Sequence, residues 1–263
     1  MKMNFVIVGR YIPKDTFMHN LDPRSKMIGV LILIVGTLTV PSLTFYIFPA
    51  CLIAVLIVVS NIGFKPYLYG IKGIWFLILF AGLIQLFVIK EDKPLILGIT
   101  MGGLLSAFYI IIRLILILLV AELLSFTTPP LMIAKALEKL FALIGLKNFG
   151  HELGMVTTIA MRFVPILALE ADRIAKAQIA RGASFERGRL SDRLKMIVVL
   201  TVPLFVSAIR KAEELAIAME SRLYGLNADR SSYIELLWKP FDTLFLMICF
   251  LPMFVNLLYF LAK

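Results

Sequence analysis

Two arginines, Arg181 and Arg222, each close a long alanine-rich stretch, and two ionisable groups, Arg113 and Glu122, sit inside an apolar one. Arg181 ends the run Gln178-Ile-Ala-Arg-Gly182, and Arg222 ends the run Met219-Glu-Ser-Arg-Leu-Tyr-Gly225. A guanidinium carries five donors in a fixed fork, which suits bidentate pairing with a carboxylate or with several carbonyls on a docking surface. A cation in the last turn of a helix also favours the helix dipole by about 0.3–1 kcal/mol, so capping alone accounts for either arginine singly. Their twinning at the ends of two similar stretches favours docking, with Ala180, Gly182, Ser221 and Leu223 as the small or apolar neighbours around them. Charges inside an apolar segment are functional candidates by default. Arg113 could pair with Gln85 or with a partner's polar group, and Glu122 falls close enough to one end of its segment to snorkel.

Other chemistry is missing from the pattern. His19 and His151 are isolated, without the spacing of a metal-ligand cluster. There is no GxxxxGK[ST] loop, so the chain is not expected to hydrolyse ATP, and no nucleophile–base arrangement marks it as an enzyme. Cys51 and Cys249 lie in apolar runs with neither disulfide nor metal spacing.

The elements that must position these residues follow from composition. The 263 residues are 60% hydrophobic with a net charge of +10. Soluble domains are about 45–50% apolar, so the reading is an all-α polytopic membrane protein. The positive excess then speaks to topology and anionic lipid, not to nucleic acid. A membrane helix needs about 20 apolar residues. Five spans are predicted, over Met27–Val40, Leu43–Ser60, Ile71–Ile89, Gly102–Ser125 and Leu236–Leu261. The first two form a short hairpin around Pro41. Asn61–Pro66 reads as a loop and Lys90–Pro94 as a charged turn, while Leu95–Ile99 fits no class. Between Ser125 and the last span, Leu131–Leu146 reads as an amphipathic helix and His151–Arg181 and Ser191–Tyr224 as two long coupling helices. These two share an echo, Val164-Pro165 and Val202-Pro203, each followed by alanines at helical spacing: Ala168, Ala171 and Ala175, then Ala208, Ala212 and Ala216. Such stripes predict that the helices cross closely there. Apolar Leu131, Met132, Leu137, Leu140, Phe141, Met155, Ile159, Met161 and Phe163 on faces of these helices could receive a second membrane protein or form an internal core.

The domain organisation expected is therefore a cytoplasmic N-terminal segment (1–26), four spans (27–125), a cytoplasmic coupling domain (126–237) and a final span (238–263). Lys2, Arg10, Lys14, Arg24 and Lys26 precede the first span, and Lys65 and Lys72 lie between the second and third. Under the positive-inside rule the N-terminus and the long excursion are cytoplasmic and the C-terminus is outside the cell membrane.

Three stretches carry a resemblance. Tyr11-Ile-Pro-Lys-Asp-Thr-Phe-Met-His19-Asn-Leu-Asp22-Pro-Arg24-Ser-Lys26 resembles the N-terminal motif of a known family. Arg162-Phe-Val-Pro165 with Ala180-Arg181-Gly182, and Ala218-Met-Glu-Ser-Arg222-Leu-Tyr-Gly225, resemble its two helix tips. The family is the transmembrane T component of energy-coupling factor (ECF) transporters, related to the cobalt-transport permease. The resemblance implies a non-catalytic subunit of an ATP-driven importer. Its tips would grip two cytoplasmic ABC-type ATPase subunits, which use ATP and magnesium, while this chain binds no cofactor. A small integral-membrane S component would capture a vitamin or other micronutrient. The second tip departs from the family's Ala-Arg-Gly as Ser221-Arg222-Leu223, which points to two different ATPase subunits. Thr16 and Asn20 stand where Ser and Arg are the family pattern. The competing reading from the residues is a self-contained secondary transporter working through Arg113 and Glu122, although the inverted repeats of such proteins are not evident.

Overall fold

The computed structural model describes residues 11–88, 94–96, 99–181, 190–224 and 236–262. The order is α1 (Pro23–Leu38), a 3-10 turn (Leu43–Tyr46), α2 (Ile47–Ser60), α3 (Lys65–Val88), β1 (Pro94–Ile96), β2 (Ile99–Thr100), α4 (Met101–Thr127), α5 (Pro130–Leu143), α6 (Lys147–Ala180), α7 (Leu190–Ser221) and α8 (Pro240–Ala262). The protein is all-α apart from one small antiparallel pair, β1 with β2. That pair takes up the ends of the unassigned Leu95–Ile99 stretch, and the Lys90–Lys93 part of the charged turn lies outside the described residues.

The chain forms two compact units. One holds residues 9–154 and 236–263, and is built on α1. Asp22 caps its N-terminus by accepting the Arg24 N–H at 2.8 Å, with Pro23 in the first position, where a missing N–H costs nothing. α1 packs against α8, α4 and α5, and α3 packs along α4. Gly29 and Gly36 put the small face of α1 on α8: a Cβ at Gly29 would stand 2.5 Å from the Phe245 ring, and one at Gly36 3.5 Å from the Met253 nitrogen. Asn256 of α8 donates to the Gly36 carbonyl at 2.8 Å. Small residues and amide hydrogen bonds of this kind hold helices together where lipid is as apolar as the side chains. Leu33, Ile53, Tyr67, Val120, Leu123 and Phe245 form the centre, while Trp75, Phe76, Phe80, Phe254 and Phe260 remain on the outside, as lipid contact requires.

Five helical stretches are long and apolar enough to cross a membrane: Leu43–Ser60, α3, α4, α6 and α8. The protein is thus a multi-pass membrane protein. The count agrees with expectation, but the members differ. α1, with 16 residues, is short, and α6, with 34, qualifies although it is the least apolar of the five. α3 begins at Lys65, earlier than expected, because Pro66 sits in its first turn and initiates the helix instead of breaking it. Conversely, α8 starts late, at Pro240, since Asp242 accepts the Lys239 N–H at 2.7 Å and closes a turn ahead of it.

The second unit, residues 1–8 and 155–235, contains most of α6 and all of α7. Pro165 and Pro203 lie within these helices, both of which continue through them. Tyr224 donates to the Met155 sulfur. Further along, Ile159, Phe163 and Leu167 of α6 and Ala208, Ala212, Ala216 and Met219 of α7 line one groove of about 310 Å³. The pair is therefore antiparallel. The alanine stripe of α7 lies along this groove, with large apolar residues of α6 on its other side. On α6 the i+4 face of Ile159, Phe163 and Leu167 continues to Ala171 and Ala175, of which Ala175 is buried.

Candidate functional site

The tips come first, as the residues expected to dock. α6 ends at Ala180, and the Arg181 N–H reaches back to the Ala177 and Gln178 carbonyls at 3.2 and 3.1 Å. Ala180 and Arg181 are exposed. Gly182 lies outside the described residues, as does Gly225. α7 ends differently from expectation. Its last helical residue is Ser221, whose hydroxyl donates to the Ala218 carbonyl at 3.0 Å. Leu223 then takes the left-handed conformation, at φ +59°. The Leu223 N–H donates to the Glu220 carbonyl at 2.9 Å and the Tyr224 N–H to the Met219 carbonyl at 3.0 Å. These two bonds are the Schellman closure, whose left-handed position normally belongs to glycine. Arg222 is consequently the residue at which the helix turns off, not one in its last turn before Gly225. Ser221, Arg222 and Leu223 are all exposed, Leu223 by 69%. Because α6 and α7 are antiparallel, Arg181 and Arg222 stand at opposite ends of the pair, roughly 40 Å apart along it at 1.5 Å per residue.

Arg113 and Glu122 do not form one site. Nine residues of α4 separate them, about 14 Å along its axis. Arg113 donates from Nε to the Tyr46 hydroxyl at 2.9 Å and lines a recess that also includes Gln85. Glu122 is buried with its carboxylate laid over Gly70 of α3: a Cβ there would fall 1.3 Å from Oε1.

The N-terminal motif makes a dense polar knot that reading by residue type did not foresee. Asp242 is fully buried and its Oδ1 accepts both the Asp22 N–H, at 2.7 Å, and the Ser25 hydroxyl, at 2.8 Å. Arg24 forks onto Asp22, Nε to Oδ1 at 3.1 Å and Nη2 to Oδ2 at 2.8 Å, reaches the Leu236 carbonyl, and lies over the Trp238 ring. Lys26 donates to the His19 and Thr127 carbonyls, each at 3.2 Å. His19 is not isolated: Nδ1 meets the Thr16 hydroxyl at 2.7 Å and Nε2 the Ile12 carbonyl at 3.0 Å. Burial, followed by the positive charges of Lys26 and Lys14, holds its pKa below 6.5, against the opposing pull of the Ile12 carbonyl and Asp15. His151 likewise has a partner, Glu138 Oε1 at 3.0 Å. The available signal for the knot was Asp242, an acid at the mouth of the last apolar segment.

Residues 14–233 match the family model described as cobalt transport protein, CbiQ. This chain belongs to that family. Three relatives named energy-coupling factor transporter transmembrane protein EcfT agree. The Thermotoga maritima protein is 51% identical over 248 residues, covering 94% of this chain and 92% of that one. Those of Ruminiclostridium cellulolyticum and Bacillus subtilis are 38% and 36% identical, covering 91% and 92% of this chain and 91% and 93% of theirs. A CbiQ-family chain is a membrane component of a transport system, and both arginine tips and the polar knot fall within or beside the matched region.

Proposed function

We propose that this chain is the coupling T subunit of an ATP-driven importer of the energy-coupling factor type. In this reading Arg181 and Arg222 dock two cytoplasmic ATPase subunits, which bind ATP and magnesium, and the chain itself turns over nothing. A small membrane S component carries the vitamin or other micronutrient and is discharged when the coupling helices move. The N-terminus and residues 126–237 are cytoplasmic and the C-terminus is outside. The observation that carries the reading is the antiparallel pair of long helices, 34 and 32 residues, each ending on an exposed arginine. Relatives that bear the ECF name support it. The unlike tips, one closing after Ala180-Arg181 and the other on a left-handed Leu223, favour two different ATPase subunits. A secondary transporter centred on Arg113 and Glu122 loses its support, because the two groups are about 14 Å apart and each is engaged with its own helix neighbour.

The test is co-purification and uptake with R181E and R222E, singly and together. Each single variant should lose one ATPase subunit and most uptake, and the double variant should lose both, with membrane insertion unchanged. Retention of both ATPase subunits by the double variant overturns the docking role.

A further inference from the structure

The geometry points to an anion site in the recess around Arg113, built for a phosphate group. Arg113 is in the middle of α4, where a charged group must be paired or wetted. Among the described residues its hydrogen bond is to Tyr46, a neutral phenol, which leaves the charge uncompensated and four N–H donors beyond that bond. The recess, about 200 Å³, is lined by Val40, Pro41, Gln85, Ser106 and Tyr109 together with Arg113, and none of these is acidic.

The recess exists because α1 stops at Leu38 and helix resumes only at Leu43. Non-helical backbone at membrane depth persists only where it is buried in protein or lines a wet cavity. Here Pro41 has no N–H to satisfy, and the Leu43 N–H is taken by the Tyr109 hydroxyl at 3.0 Å. Ser106 lies two turns of α4 beyond Arg113, about 10 Å nearer the helix end, so the recess climbs from the guanidinium toward the membrane surface. Along that climb stand the fork of Arg113, the Gln85 amide and the Ser106 hydroxyl. A fork with neutral donors on other sides fits the several oxygens of a phosphate better than a lone ammonium would. A phospholipid headgroup and free phosphate share this chemistry.

The experiment uses the full chain in mild detergent with three probes: phosphatidylglycerol in mixed micelles, phosphatidylcholine at the same fraction, and inorganic phosphate. Thermal midpoint and the number of lipids retained in native mass spectra are read. Phosphatidylglycerol should raise the midpoint and be retained, phosphatidylcholine much less so. R113Q should weaken the response at least about tenfold, the scale of losing a charge-assisted hydrogen bond. R113K should keep part of it, and Q85L should weaken it with the charge in place; these two serve if R113Q does not fold. A saturable response to inorganic phosphate, lost in R113Q, assigns the site to free phosphate, and a response to phosphatidylglycerol alone assigns it to a lipid headgroup. No response to any probe, or equal responses in wild type, R113Q and Q85L, overturns the site.

Discussion

Leu223 occupies a backbone conformation that costs an ordinary side chain roughly 1 kcal/mol or more, and it does so at an exposed helix end closed by the two Schellman hydrogen bonds. Replacing it with glycine should relieve that cost. In L223G the Leu223-position and Tyr224 amides should exchange with solvent several-fold more slowly, the factor corresponding to about 1 kcal/mol of local stability. Unchanged or faster exchange would show that the left-handed turn is not what limits this tip. His19 gives a second expectation at the same scale. Its pKa is held below the unfolded value of 6.5, mainly by burial, so the fold prefers the neutral ring. The unfolded chain therefore binds more protons between the two values, and stability rises with pH there. The contribution is complete above about pH 6.5 and falls as the pH drops through that value toward the folded pKa. Thermal midpoints between pH 7.5 and 5 should decline more steeply for wild type than for H19N. Parallel curves would remove His19 from the account. Neither property was readable from residue type: Ser221-Arg222-Leu223 carries no mark of a left-handed turn, and His19 earns its shift from burial that only the folded motif creates.

Helices reveal their packing partners through their glycines. Gly70 and Gly73 share α3 and differ by one turn, yet a Cβ on the first falls inside the Glu122 carboxylate and a Cβ on the second meets nothing within 4 Å. G70A should destabilise the α3–α4 packing by about 1–3 kcal/mol, the range for overfilling a packed site, while G73A should be neutral or gain up to about 1 kcal/mol from helix propensity. Melting of the two variants side by side decides it, and equal midpoints would dissolve the distinction. The helices themselves were largely legible in the sequence, since apolar runs about 20 residues long and Pro or Thr at their ends mark spans directly. Their ends were less so, because Pro66 and Pro240 start helices and the same residue type breaks them elsewhere. Contacts between helices were the least legible. The polar knot needs Asp22 and Asp242, over two hundred positions apart, to meet, and no local period records such a pairing. Likewise the groove between α6 and α7 pairs Ala208, Ala212 and Ala216 with Ile159, Phe163 and Leu167, a meeting of small and large side chains that neither helix's own period records.

For the molecule as a whole, the reach of the two tips depends on which helices cross the bilayer. Length and apolarity admit α6 as a span and leave α1 short, whereas the proposed orientation puts all of 126–237 on the cytoplasmic side. The two arrangements separate on the position of the tips. If α6 crosses, Arg181 and the start of α6 lie on opposite sides of the membrane. If α6 and α7 are both cytoplasmic, Arg181 and Ser221 are accessible from one side only, and it is the same side. The charge pattern favours the second arrangement. α6 bears Arg162, Glu170, Asp172, Arg173 and Lys176, with Arg173 paired to Glu170 at 3.7 Å and Lys176 to Asp172 at 2.5 Å on exposed turns, a load that a lipid-spanning helix would carry only at a cost of several kcal/mol. With the native thiols removed by C51A and C249A, R181C and S221C report directly. A membrane-impermeant maleimide should label both in inside-out vesicles and neither in right-side-out ones until the membrane is permeabilised. Labelling of R181C from the outside with S221C protected would place α6 across the bilayer and would leave at most one arginine tip within reach of a cytoplasmic ATPase.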